Sequence, residues 1–228
     1  MKKFNLFFIS LLALIVTFSS CKKDDDPTGN NSKVSGTIQD GSSLNSPSDS
    51  VYVYLEDDGS DVPFAKSALN SGSFNINLET PSSSQLYSLS DGLGSSITAS
   101  DKSANGVVAN FTLSSSGEVA SLYYGKYSFS STSENISATV ATYIYCDRSL
   151  TLKGTETDED GKIVFDVKFG KGWNILLTKV DITSSTMTIT YTSKSSTSGL
   201  GLIWTTIDLG VDIDAALQNK MIPSKLFK

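Results

Sequence analysis

Residues 162–180 read KIVFDVKFGKGWNILLTKV, and this stretch decides the fold class. In its first half, apolar residues recur at every second position: Ile163, Phe165, Val167 and Phe169. A period of two places this set on one face of a β-strand. Residues 170–172, Gly-Lys-Gly, supply a turn, and residues 173–180 form a second apolar run. The stretch therefore predicts two strands that pair as an antiparallel hairpin.

The same alternation recurs along the 228-residue chain. Its clearest further examples are residues 51–55, 74–78, 140–146 and 187–192. Turn-forming residues separate these runs, and Val, Ile, Tyr and Phe are frequent within them. The chain is therefore predicted to be all-β, with two small antiparallel β-sandwich modules of about 100 residues each.

Changes in composition predict the order of the domains. Residues 114–117, Ser-Ser-Ser-Gly, separate a first module at residues 33–115 from a second module at residues 116–210. Residues 21–32 have no apolar periodicity and predict a flexible, disordered tether. Residues 211–228 show no strand pattern and predict a tail with a short helix.

The N-terminal residues predict export and lipidation. Lys2 and Lys3 precede an apolar run over residues 4–16, and small residues stand directly before Cys21. This is the pattern of a secretory signal peptide, residues 1–20, that ends at a lipidated cysteine. The apolar run is too short to span a bilayer comfortably. We therefore expect Cys21 to carry the lipid that anchors the protein to a membrane.

The residues after Cys21 indicate where the anchored protein resides. They are Lys22, Lys23, Asp24, Asp25 and Asp26. This run resembles the start of lipoproteins from the Bacteroidetes group, in which an acidic run beside the lipidated cysteine is associated with export to the cell surface. The resemblance implies an outer-membrane protein, lipid-anchored and facing the cell exterior. A second interpretation is that the charged run is only a solvated spacer beside the membrane.

Short motifs in the first module resemble a known family. They are VSGTI at residues 34–38, VYVYL at 51–55, SGSFNI at 71–76 and FTL at 111–113. These motifs are similar to those of the carboxypeptidase regulatory-like, or transthyretin-like, domain. The resemblance implies a seven-stranded β-sandwich without an active site. In the second module, residues 143–154 and 170–174 resemble a module of other Bacteroidetes lipoproteins of unknown function, which carries over no catalytic residue.

Composition excludes several classes of function. The chain has no histidine, which removes the commonest general base and transition-metal ligand. Without the signal peptide, 16 basic residues face 24 acidic residues, a net charge of −8. Nucleic-acid binding is disfavoured, because it depends on neutralising phosphates. Cys146, the one cysteine beyond Cys21, is expected to be a small buried hydrophobe. We expect no catalytic residue, no cofactor and no metal site.

Two acidic turns superficially resemble calcium-binding loops. Glu156, Asp158 and Asp160 precede Gly161, but Val167 stands where an EF-hand needs its closing glutamate. This spacing favours a solvated hairpin turn. The aspartates within residues 57–61 favour the same interpretation.

Paired tyrosines are the candidate ligand-binding residues. Tyr52 and Tyr54 lie opposite one apolar strand face, and Tyr143 and Tyr145 lie opposite another. Each pair could lie outside its sheet, where a sugar ring could stack on it, but core or interdomain packing is the interpretation that a β-sandwich favours. Further aromatic residues that could join such a platform are Tyr123, Tyr124, Tyr127 and Trp204, whereas Trp173 is expected in the core. Ser50 also fits a short pattern for O-glycosylation seen in Bacteroidetes.

These features together predict a lipid-anchored cell-surface protein with a non-catalytic binding or accessory role. The expected ligand is a glycan or a partner outer-membrane protein. One alternative is a glycoside hydrolase-like enzyme with a carboxylate pair, and another is an architectural or adhesion component. An exposed aromatic row would favour binding, two facing buried carboxylates would favour the enzyme, and a long unprotected edge strand would favour the architectural role.

Overall fold

The computed structural model describes residues 29–39, 41, 44, 46, 48–56, 62–130, 135–157, 161–183 and 186–206. This part of the chain is all-β, as predicted, and it has no α-helix. It contains no helix long and apolar enough to cross a bilayer. Several predicted features lie outside the described residues: the signal peptide, Cys21, residues 22–26, residues 57–61, Asp158, Asp160 and the tail at residues 211–228.

Sixteen strands make up the described fold. They are β1 (Gly29–Asn30), β2 (Lys33–Thr37), β3 (Ser50–Leu55), β4 (Ala65–Ala68), β5 (Ser73–Asn77), β6 (Tyr87–Ser88), β7 (Ile97–Ala99), β8 (Asn105–Ser115), β9 (Glu118–Ser121), β10 (Tyr123–Ser130), β11 (Asn135–Cys146), β12 (Leu150–Thr157), β13 (Lys162–Phe169), β14 (Gly172–Ile182), β15 (Met187–Lys194) and β16 (Ile203–Thr205). A short 3₁₀ turn at Ser83–Gln85 precedes β6.

Fourteen of these strands form one sheet, and β2 pairs with β5 in a separate two-stranded sheet. The main path runs β4-β3-β8-β11-β14-β15-β13-β12-β7. On one edge, β11 pairs with β14 along almost its whole length. The other edge of β11 is shared between two strands, because residues 143–146 pair with β8 and residues 135–140 pair with β10. This arrangement makes β11 the strand that joins the two ends of the sheet.

The stretch at residues 162–180 forms two strands, β13 and β14, but the hairpin predicted between them is wrong. β15 lies between them, antiparallel to β14 and parallel to β13. The connection between β13 and β14 is fixed by the buried Asn174. Its side chain accepts a hydrogen bond from the N–H of Gly170 (2.9 Å) and donates one to the carbonyl oxygen of Gly170 (2.8 Å). β13 instead forms its hairpin with β12, with Leu150 opposite Phe169. β12 and β13 pair as far as Thr157 and Lys162, and residues 158–160 of the predicted acidic turn lie outside the described residues.

The division into two modules at residues 115 and 116 is not confirmed. β8, from the first predicted module, pairs with β11 of the second. Beyond this pairing β8 and β11 have separate partners, because β9 pairs with β8 and β10 pairs with β11. One apolar core draws residues from both predicted modules, among them Val34, Val51, Phe74, Tyr143, Trp173 and Trp204.

Two apolar cores lie on opposite faces of β11. Tyr143 and Tyr145 enter the first core, together with side chains of β2, β3, β5 and β8. Ile144 and Cys146 enter the second core, which β12, β13, β14 and β15 enclose. The second core does not include any residue of β3. The face of β3 that points away from the first core is therefore not covered by the second core.

Residues 29–32, which precede the predicted boundary at Lys33, take part in the described fold. Gly29 and Asn30 form β1, which runs parallel to β14 opposite Gly172 and Trp173. The N–H of Asn31 donates a hydrogen bond to the carbonyl oxygen of Trp173 (3.1 Å). The end of the predicted tether, residues 29–32, is thus part of the fold, because its backbone groups find partners on the exposed edge of β14.

Candidate functional site

The two predicted tyrosine pairs lie in different environments. Tyr52 and Tyr54 are half-buried on the face of β3 that points away from the first core, as predicted. Tyr143 and Tyr145 are only 6% and 7% exposed. The second pair is therefore not an outward platform, and core packing, the interpretation favoured from the sequence, is correct for it.

The burial of Tyr143 and Tyr145 follows from the position of β11 at the centre of the sheet. The Tyr143 ring packs against Phe111, with ring centroids 5.7 Å apart. The Tyr145 ring meets Trp173 edge-on at 5.6 Å. Burial, with a smaller effect of Tyr124, raises the pKa of Tyr143 to about 12. Trp173 is 3% exposed and lies in the core, as predicted.

The first tyrosine pair belongs to a larger patch on the outer side of β4, β3 and β8. In the register of these strands, Tyr52 lies between Lys66 and Thr112, and Tyr54 lies opposite Asn110. Lys66 and Asn110 are exposed. Neighbouring strands are about 4.8 Å apart, so these side chains form two adjacent rows on one face.

Tyr123 extends this patch across the next strand. The register of β8 with β9 places Ser121 opposite Thr112. The N–H of Leu122 then donates a hydrogen bond to the carbonyl oxygen of Phe111 (2.9 Å), which continues that register by one residue. Leu122 is buried in the first core, so the half-buried Tyr123 points to the opposite face, next to Asn110. We call Tyr52, Tyr54, Lys66, Asn110 and Tyr123 the tyrosine face.

A cation–π contact orders one part of the tyrosine face. The Lys66 Nζ lies 4.8 Å from the centroid of the Tyr52 ring. Such a contact contributes about 0.5–1 kcal/mol at an exposed site. It restrains the ring and places a positive charge at the edge of the face. The face therefore offers two tyrosine rings from one strand, an amide and a cation, all on sheet backbone.

Sequence reasoning named Tyr123 as one of several aromatic residues but did not place it on the face. The neighbouring residue Tyr124 stacks on Trp204 inside the first core, with ring centroids 4.7 Å apart. Adjacent residues of a strand point to opposite faces, so the burial of Tyr124 determines the direction of Tyr123. Tyr123 and Tyr124 are thus distinguished by the contact of Tyr124 with Trp204, and the sequence does not show that contact.

The alternative of a carboxylate pair finds little support in the described residues. Asp49 is the one buried acidic residue among them, at 3% exposure. Its carboxylate accepts hydrogen bonds from the N–H of Ser46 (2.9 Å) and the hydroxyl of Ser115 (2.8 Å). These bonds tie the loop before β3 to the end of β8, which is a structural role. The next residue, Ser50, is 1% exposed, which places its hydroxyl out of reach of a glycosylating enzyme in the folded protein.

The remaining candidates for chemistry are also accounted for within the described part of the chain. Cys146 is fully buried, as predicted, and burial together with the nearby Asp147 carboxylate raises the pKa of its thiol. A raised thiol pKa lowers the thiolate fraction that nucleophilic attack requires. Among the described residues, no group of three or more acidic or cysteine side chains could hold a metal ion.

Known proteins give no further assignment. No family model, no curated protein and no solved structure matches the chain. The resemblances to a transthyretin-like domain and to Bacteroidetes lipoproteins therefore stay predictions. The class of protein that the described residues define is an all-β protein with an outward-facing tyrosine face whose rings are half-buried.

Proposed function

We propose that the protein is a non-catalytic binding protein, anchored to the outer membrane by a lipid on Cys21, and that its tyrosine face binds a glycan. The observation that carries the proposal is the half-buried, outward position of Tyr52 and Tyr54 beside the exposed Asn110 and Lys66. Rings held on a sheet lose little conformational freedom when a sugar stacks on them, and neighbouring amide and ammonium groups can bind its hydroxyl groups.

The shape of this surface favours an extended ligand. Tyr52 and Tyr54 are two residues apart on one strand, which corresponds to about 7 Å along β3. One apolar cavity among the described residues lies elsewhere, lined by side chains of the second core such as Leu152 and Val167. A glycan chain that lies along β3 fits a flat face better than a small molecule does, since small ligands prefer concave sites.

A glycan-array assay on the chain that follows Cys21 tests this function. The double variant Tyr52→Ala/Tyr54→Ala should weaken binding tenfold or more, which corresponds to about 1.4 kcal/mol. Tyr127→Ala is the matched control, because Tyr127 is 57% exposed but lies outside the tyrosine face. Circular dichroism should show that both variants stay folded. Absence of binding to any glycan, or equal loss in the control, would contradict the proposal.

The anchor is tested separately by cell fractionation. Cys21→Ala should release the protein from the membrane pellet, because the covalently attached acyl chains supply the membrane affinity. Protease treatment of intact cells should digest the wild-type protein if it faces the exterior. A variant that still pellets would contradict lipid anchoring.

A partner protein is the second candidate ligand, favoured by one edge of the sheet. β10 pairs with β16 only through residues 123–125, so residues 126–130 have no strand on that edge in the described part of the chain. An open strand edge can accept a strand from a partner. Tyr127→Lys should prevent such pairing, because edge lysines oppose it. Crosslinking of the anchored protein to a specific outer-membrane protein, lost in this variant but kept in Tyr52→Ala/Tyr54→Ala, would favour this candidate over the glycan.

A further inference from the structure

The first described residues of the chain lie at one end of the sheet. The register of four neighbouring strands places Gly106, Cys146, Gly172 and Gly29 in one row. Asp147 follows directly, and its N–H donates a hydrogen bond to the carbonyl oxygen of Asn105 (2.9 Å). The chain therefore enters the fold at the same end that carries the loops around residues 101–105 and 147–149 and the turn at residues 170–171. We call these three segments the entry pole.

A polar cluster joins two of the three segments of the entry pole, the loops around residues 101–105 and 147–149. The Asp147 carboxylate accepts hydrogen bonds from the N–H of Asn105 (3.0 Å) and from Arg148 Nε (3.1 Å). Arg148 also donates to the hydroxyl of Ser103 (3.0 Å), which itself donates to Asp101 (2.6 Å). Partial burial acts to raise the pKa of Asp147, but the bonds from Arg148 and Asn105 outweigh it and lower that pKa. The loops of the pole are thus fixed to one another.

The surface of the entry pole is polar. Lys171, Arg148, Lys102 and Ser149 are exposed there. The large exposed apolar side chains of the described chain are Val62, Val119, Tyr127 and Ile203, and none of them belongs to the pole. Such a surface suits contact with hydrated lipid headgroups and not insertion into the hydrocarbon.

The number of residues between Cys21 and Gly29 limits how far the entry pole can lie from the membrane. Eight residues span at most about 28 Å when fully extended. The opposite end of the sheet is more distant: Glu118 pairs with Ser115, nine residues along β8 from Gly106, which corresponds to about 30 Å. Tyr52 pairs with Thr112, about 20 Å along the same strand.

We propose that the entry pole faces the lipid headgroups of the membrane that holds Cys21, and that Tyr52 of the tyrosine face is thereby held about 20 Å farther from the membrane along β8. This orientation rests on the lipid anchor of the proposed function. The orientation depends on β1, because the short pairing of Gly29 and Asn30 with β14 fixes the point at which the segment that follows Cys21 joins the fold. Without that pairing, the first fixed residue would be Ser32, whose carbonyl oxygen accepts a hydrogen bond from the N–H of Leu78 (2.6 Å), and the reach from Cys21 would grow by about 10 Å.

Site-specific fluorescence in vesicles tests the orientation. The lipidated protein is reconstituted with lipids that carry a quencher on the headgroup, and single cysteines are labelled on the folded protein, where Cys146 is inaccessible. The near positions are Lys171→Cys and Ser149→Cys, and the matched far positions are Glu118→Cys and Ser128→Cys; all four residues are exposed. We expect stronger quenching at both near positions than at both far positions. Insertion of a twelve-residue Gly-Ser segment between residues 28 and 29, which adds about 40 Å of reach, should remove the difference.

The outcomes separate the orientation from the function on which it rests. Protein that stays in solution when the vesicles are sedimented has no lipid anchor. This outcome overturns the anchoring part of the proposed function and the orientation that rests on it. Bound protein with equal or reversed quenching overturns the orientation and leaves the anchor intact. A difference that persists after the insertion overturns the tether as its cause. Stronger near quenching that the insertion removes supports the orientation.

Discussion

Replacing Tyr191 with phenylalanine should stabilise the fold, because its hydroxyl is buried without a partner. Tyr191 lies on β15 and is 2% exposed. Its ring stacks on Phe165, with centroids 4.7 Å apart. Among the described residues, its hydroxyl has no hydrogen-bond partner. The ring also borders a cavity of about 20 Å³ lined only by side chains of the second core.

The magnitude follows from two opposing effects. Burial of an unsatisfied hydroxyl costs about 1–3 kcal/mol relative to its hydrated state in the unfolded chain. Removal of one oxygen leaves a space on the order of 10 Å³, which costs about 0.2 kcal/mol at about 24 cal/mol per Å³. The ring and its stacking on Phe165 are kept. We therefore expect Tyr191→Phe to raise the free energy of unfolding by about 1–2 kcal/mol.

Urea unfolding, followed by tryptophan fluorescence, measures this change. The midpoint should rise by about 0.5–1 M with an unchanged slope, for a slope of about 2 kcal/mol per M. Tyr124→Phe is the matched control, because the hydroxyl of Tyr124 is hydrogen-bonded to that of Thr197 (3.1 Å). The control should lose about 1 kcal/mol. A loss of stability in Tyr191→Phe as large as in the control would refute the reasoning, since it would mean that the Tyr191 hydroxyl is satisfied.

Three further predictions concern the packing around β11. Gly106→Ala should lower the free energy of unfolding by about 3 kcal/mol in urea titration, because a Cβ would clash with the carbonyl oxygen of Tyr145. An unchanged urea midpoint would contradict this close approach. Stability should fall between pH 10 and 12: burial raises the pKa of Tyr143 from 10.0 to about 12 and also raises that of Tyr191, so the unfolded chain ionises first. Each tyrosine should contribute about 1.4 kcal/mol per pH unit in that window, and Tyr143→Phe should flatten the slope of midpoint against pH. Cys146 should react with a thiol reagent only on unfolding, and rapid reaction of the folded protein would contradict its burial.

The wrong hairpin at residues 162–180 shows where local pattern stops being informative. Alternation and the Gly-Lys-Gly turn correctly predicted both strands. They could not predict that β15, which begins seven residues after position 180, would lie between them. The outcome depends on the competing pairing of β12 with β13 and of β14 with β15, each of which buries the same apolar faces in the second core. A period of two is satisfied equally well by either set of partners.

By itself the sequence determined that this protein is all-β, that strand residues of opposite parity point to opposite faces, and that Cys146 and Trp173 are buried. These properties depend on composition and on a two-residue period, which are local. Only the tertiary structure decided that Tyr52 and Tyr54 stay accessible whereas Tyr143 and Tyr145 do not. Both pairs have the same alternating pattern, but β11 has an apolar core on each face and β3 has one on a single face. Exposure of a strand residue depends on what covers that face, and the covering strands come from distant parts of the chain.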